Sequence, residues 1–227
     1  MAALLRYRSG LLILRAALVG AALIGLPSAG HAAAMFLDAV LAEVNGRTLT
    51  ASDAGIARAF SLFGMRPSNE PILREDVDRM IDGLLVDQEA AQLVIGEDEE
   101  ALEVAWRAAA ARTGGMPALL QWLEDAALDQ TWARGMVRRE VRYRRFLNLR
   151  FRPFVFVGEE ELAAALGPGS HGAEARERTH EALREAAVLR EMAAWLVEAR
   201  RRATIRYADG RPGGAPLPFP MPPTAGR

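Results

Sequence analysis

The sequence predicts a mainly α protein: a single helical domain with a small β element that pairs an amino-terminal hairpin with a carboxyl-terminal strand. Three observations predict it. Apolar residues recur at helical spacing through most of residues 52–202, an Asn-Gly turn joins two short extended pieces at 40–50, and a four-residue extended piece follows the last helix at 204–207. An isolated hairpin is only marginally stable. The extended pieces at opposite ends are therefore expected to pair and close the chain into one domain over residues 35–208.

Ahead of that domain, Arg6, Arg8 and Arg15 stand without an acid. The apolar run 16–26 follows, then Pro27, Ser28 and Gly30-His31-Ala32-Ala33-Ala34. This is the layout of a secretory signal, with cleavage after Ala32 or Ala34. The apolar run ahead of Pro27 is 11 residues long, where a membrane-spanning helix needs roughly 20, so residues 1–34 are expected to be a cleaved signal rather than an anchor. No later stretch is long and apolar enough to span a membrane, and a soluble mature protein outside the cytoplasm is expected.

Val40-Leu41-Ala42-Glu43-Val44 and Arg47-Thr48-Leu49-Thr50 flank Asn45-Gly46, a pair that tolerates positive φ in a tight hairpin. Ser52 or Asp53 can cap a helix running to Phe63, stopped by Gly64 and Pro67. Ser68 or Asn69 can cap a longer one over 71–94, ended by Gly96. Acids at 97–100 complement the dipole of a helix reaching Arg112, which Gly114-Gly115 closes. Residues 116–126 read as a short helix, and Asp129 caps a long one to about Leu149. Residues 151–157 are expected to be extended around Pro153, followed by a short helix at 159–166 and the flexible Gly167-Pro168-Gly169-Ser170. A last long helix covers 174–202, and residues 209–227, rich in Pro and Gly, are expected to be a disordered tail.

Composition narrows the function classes. The chain has no cysteine, which removes disulfides and thiolate chemistry. Losing Arg6, Arg8 and Arg15 and no acid takes the formal charge from −1 to about −4 in the mature chain, which is no lure for nucleic acid.

The order of pieces resembles the amino-terminal module of SurA-type periplasmic chaperones and their parvulin-containing relatives, a SurA amino-terminal, trigger-factor carboxyl-terminal-like arrangement. The resemblance lies in Ala42-Glu43-Val44-Asn45-Gly46 with Leu49-Thr50 and Asp53, in Met80-Ile81-Asp82-Gly83-Leu84-Leu85-Val86-Asp87-Gln88-Glu89-Ala90, and in Gly96-Glu97-Asp98-Glu99-Glu100. It continues through Trp122-Leu123, Ala127-Leu128-Asp129, Val155-Phe156-Val157-Gly158-Glu159-Glu160-Glu161-Leu162, and Trp195-Leu196 with residues 200–207. In that family a parvulin prolyl isomerase domain usually follows the Glu159 region and needs on the order of 100 residues. Here residues 167–173 are all the space there is, so no catalytic residue of that domain carries over to this chain.

Candidate chemistry is sparse. His31 lies in the signal, and His171 and His180 lack further ligands at metal-binding spacing; no metal and no cofactor is expected. The acids at 98–100 and 159–161 open helices, which accounts for them structurally. No nucleophile elbow, phosphate loop or dinucleotide fingerprint is present, so no enzyme is expected. Arg134, Arg138, Arg139, Arg142, Arg144, Arg145, Arg150 and Arg152 make one helix and its exit basic, opposite an apolar stripe of Trp132, Met136, Tyr143 and Leu147. They are expected to form a solvated face paired with acids elsewhere, with contact to anionic lipid or to an acidic client as the alternative.

The functional expectation rests on adaptable apolar groups. Phe60, Phe63, Met65, Trp106, Met116 and Trp122 are the candidate client-binding residues, since thioethers and rings can line a groove that repacks around varied peptides; the alternative for each is core filling. With the resemblance, they imply a non-enzymatic periplasmic holding chaperone whose partners are unfolded or newly exported envelope proteins. The alternative is a dedicated adaptor in an envelope complex, tethered by the proline-rich tail.

Overall fold

The computed structural model describes residues 38–93, 95–96, 98–169, 172–208 and 216–222. The expected signal at 1–34, with His31, and His171 lie outside the described residues.

The fold is mainly helical with a small three-stranded antiparallel sheet, as expected. Strands β1 (Val40–Val44) and β2 (Arg47–Thr50) form the hairpin. Asn45 and Gly46 both take positive φ, 51° and 80°, the mirror-image turn that matches strand twist. Strand β3 (Ile205–Tyr207) pairs antiparallel with the other edge of β1, with Val44 opposite Ile205 and Ala42 opposite Tyr207, giving the order β2-β1-β3. Asn45 fastens this join twice: its N–H donates to the Thr204 carbonyl at 2.9 Å and its Oδ1 accepts from the Thr204 N–H at 2.8 Å.

Seven α-helices lie among the described residues. Helix α1 (Ala51–Ala59) is capped by Thr50, with Asp53 as the reciprocal partner three residues in, so the expected cap at Ser52 or Asp53 is corrected. It ends at Ala59, not Phe63, because Ser61 and Phe63 adopt left-handed φ of 53° and 52° around a short 3₁₀ turn. Helix α2 (Arg74–Gln92) starts three residues later than expected and uses neither Ser68 nor Asn69 as its cap; Asp76 accepts from the Leu73 N–H at 2.9 Å instead.

Helix α3 (Glu99–Arg112) is capped by Asp98, and the Gly114-Gly115 pair, with φ of 93° and 104°, separates it from α4 (Met116–Asp125). Helix α5 (Gln130–Arg150) is capped by Asp129 through the Trp132 N–H at 2.9 Å. The stretch expected to be extended after it begins instead with a 3₁₀ turn, Arg152–Phe154. Helices α6 (Glu159–Leu166) and α7 (Ala173–Arg202) complete the order.

The main core joins the sheet, α1, α2, α3, α4 and the first half of α5, around fully buried Phe60, Ile56, Ile81, Leu102, Leu119 and Met136. A second cluster, built on Val86, Phe146, Phe151, Val188, Met192 and Leu196, fastens α7 to α2 and α5. Arg200 near the end of α7 reaches α2, donating to Asp82 Oδ1 at 2.6 Å and to the Asp78 carbonyl at 2.8 Å. Tyr207 on β3 donates its hydroxyl to Asp78 Oδ1 at 2.7 Å. These bonds lock the closing helix and strand onto the amino-terminal half.

Part of the carboxyl-terminal tail is also packed. Phe219 is buried in the main core, and Leu217 and Met221 pack against it. The expectation of disorder over 209–227 is therefore corrected for residues 216–222; residues 209–215 and 223–227 lie outside those described.

Candidate functional site: an open cleft between two helices

Helix α3 carries small residues on the face it turns to α5. Ala101, Val104, Ala105, Ala108 and Arg112 recur at three- and four-residue steps and so share one side of the helix. On α5 the same spacing aligns Val137, Glu140, Val141, Arg144, Arg145 and Asn148. Between these faces lies an open cleft of about 660 Å³, closed at one end by Ser61 and Leu62. That volume falls in the range of ligand sites.

Val137, 1% exposed, lies at the buried side of the lining, and Val104 is 54% exposed. A fully packed helix pair would cover such a side chain; the open cleft leaves it facing solvent.

The rim is polar and held in place. Asp98 and Arg145, both in the lining, pair at 3.5 Å; outside the lining, Arg138 pairs with Glu99 at 3.5 Å and Arg134 bonds Glu103, tying α3 to α5. Near the Ser61 end, Arg112 donates to the Phe60 carbonyl at 2.8 Å, and Glu140 accepts from the Phe63 N–H at 2.9 Å and from Arg144 Nε at 2.7 Å. Partial burial, with the nearby Arg144 cation, pulls the Arg112 guanidinium below its ordinary pKa. Glu140 is itself buried, so its bond to Phe63 fixes the irregular turn that ends the cleft. The lining thus sets alanine, valine and leucine side chains beside three guanidinium groups, each bonded within the protein, and the carboxylates of Asp98, Glu100 and Glu140.

The six residues expected to line a groove are brought together, but as core. Phe60 meets Trp106 edge-on at 5.9 Å and Trp122 at 5.8 Å, and all three are buried, as is Met65. Met116 is half-buried against the same core. Phe63 is half-buried, edge-on to Tyr143 at 5.8 Å. The open apolar surface is therefore not the one these aromatics predicted. Large rings at helical spacing find one another, and Phe219 from the tail covers Trp122 at 5.5 Å. The cleft has no aromatic or methionine signal, because its apolar lining is Leu62, three alanines and three valines among polar residues; the stripe 101, 104, 105, 108 is the cue the sequence offers.

Six of the eight arginines at 134–152 pair with acids, while Arg139 donates to Met136 Sδ at 3.2 Å. Besides the pairs above, Arg142 bonds Asp87 at 2.7 Å, and Arg152 bonds Glu181 and Glu185 on α7. Among the described residues, no helix is long and apolar enough to cross a membrane. Neither a protein-family model nor a curated protein matches this chain.

Proposed function

We propose that the chain is a non-enzymatic, ATP-independent holding chaperone of the cell envelope, receiving extended segments of unfolded or newly exported outer-membrane proteins in the cleft between α3 and α5. The observation that carries this reading is the cleft: about 660 Å³ of open space lined by alanine and valine, with Arg112, Arg144 and Arg145 and the acids Asp98, Glu100 and Glu140 beside them. A floor of small side chains accepts residues of different size, and guanidinium groups bind oxygens that every extended chain offers. The SurA-type order of elements supports the reading as fold analogy. So does the short 167–172 link where relatives carry an isomerase domain. The signal layout of residues 1–34 would deliver the chain to the periplasm.

The test is aggregation. An unfolded outer-membrane barrel protein diluted into buffer should scatter less light with the chain at near-stoichiometric ratio than with an inert control. Equal scattering would sink the reading.

A second reading, a dedicated adaptor holding one envelope partner, draws on Phe154 and Phe156, 73% and 86% exposed on the link after α5. Pull-down from the envelope separates the two: a chaperone recovers many clients, an adaptor one stoichiometric partner.

A further inference from the structure

Residues 216–222 read Pro-Leu-Pro-Phe-Pro-Met-Pro. Each proline fixes its own φ and biases the residue before it toward extended backbone. The segment is therefore pre-extended and loses little freedom on docking. Leu217, Phe219 and Met221 all pack against the main core.

The receiving surface reads this segment in three ways. Phe219 enters a slot above Gly55 of α1; a Cβ at that position would overlap the ring's Cζ and sit 2.7 Å from Cε2, so the slot exists because residue 55 is glycine. Trp122 flanks the ring edge-on and donates its indole N–H to the Pro220 carbonyl at 2.8 Å. Asn69 Oδ1 accepts the Met221 N–H at 3.2 Å. The wall carrying Asn69 is held from behind, where buried Arg58 donates to the carbonyls of Ser68, Glu70 and Pro71. A glycine-floored slot, an indole donor to a proline carbonyl and one amide acceptor form a site of the kind that recognises polyproline-type chains.

We propose that Gly55, Asn69 and Trp122 form a binding groove for extended peptides in which a phenylalanine is flanked by prolines, and that residues 216–222 are its occupant in cis. A tethered occupant competes at an effective concentration on the order of millimolar, so a peptide in trans binds by displacing it. The groove is separate from the α3–α5 cleft and stands whether or not that cleft holds clients.

The experiment titrates a labelled peptide, Ala-Pro-Leu-Pro-Phe-Pro-Met-Pro-Pro, into the full chain and follows fluorescence anisotropy. Phe219→Ala removes the competitor and should bind the peptide at least tenfold more tightly than the wild type. Adding Gly55→Ala to Phe219→Ala fills the slot and should abolish binding, as should replacing the peptide's own phenylalanine by alanine. A Phe219→Ala chain that binds no better than wild type, or a double variant that binds as well as the single one, overturns the proposal.

A measurement on the unsubstituted chain covers the case in which a variant fails to fold. Saturating peptide should speed hydrogen exchange at the Met221 amide at least tenfold by releasing it from Asn69, whereas unchanged protection under saturating peptide overturns the proposal.

Discussion

Replacing Arg58 with methionine tests the buried polar frame beneath α1. The Arg58 side chain is 3% exposed and that of its partner Asp76 9%. The guanidinium also donates to the Ser68 carbonyl at 3.4 Å and the Pro71 carbonyl at 2.9 Å, and bonds that of Glu70. Methionine keeps the apolar stem and removes every donor. Asp76 then retains the Leu73 N–H at 2.9 Å and a distant Arg79 at 3.7 Å. Stripping one partner from a buried pair costs about 3–5 kcal/mol. At about 2–4 °C per kcal/mol for a domain of this size, Tm should fall by about 6–20 °C. Circular dichroism melts of Arg58→Met, Asp76→Leu and the double variant measure it. The double variant should recover at least half of the loss, because two apolar groups leave no orphaned charge. A single variant that melts within about 2 °C of wild type, or a double variant worse than the sum of the singles, would refute the reasoning.

Gly83→Ala should destabilise by about 1–3 kcal/mol through overpacking, although alanine in a helix interior ordinarily gains about 1 kcal/mol over glycine. A Cβ there would lie 2.8 Å from the Phe63 ring, which the Phe63–Glu140 bond holds in place; a raised Tm would contradict that close approach. Tyr207→Phe removes a hydroxyl donor to a carboxylate and should cost about 1–2 kcal/mol near neutral pH. Partial burial pushes Asp78 up, but the hydrogen bonds from Tyr207 and Arg200 outweigh it and leave its pKa below the ordinary 3.8. A depressed carboxyl pKa stabilises the fold above 3.8 and loses that contribution as pH falls through the folded value. The gap between wild type and Tyr207→Phe in urea titrations should therefore hold down to about pH 4 and narrow below it; a constant gap would contradict the assignment.

Much of this architecture was legible because local chemistry and tertiary structure agree. Asn45-Gly46 demands positive φ, Asp129 caps α5, and the two terminal strands had only each other as partners. Misreadings cluster where distant groups override local preference. Nothing within residues 59–65 announces that α1 stops at Ala59; the left-handed Phe63 is held by Glu140 on α5. Prolines at alternate positions read as disorder by composition, yet the same stiffness lowers the entropy cost of docking Phe219 over Gly55. The aromatics singled out as a groove became core because Phe60, Trp106 and Trp122 satisfy one another. The open cleft mixes small apolar residues with arginines and acids, a pattern that no hydrophobic count singles out.

The absence of cysteine gives the direct test of the cleft. A single cysteine placed at Val104, on the cleft floor, or at Val197, 64% exposed on α7, can carry a benzophenone maleimide. Each labelled chain would then be irradiated with an unfolded outer-membrane barrel protein. Cross-linking to the client is expected from position 104, competed by excess unlabelled chain, and little from position 197. Equal yields from the two positions, or none from position 104 while aggregation is still suppressed, would contradict it.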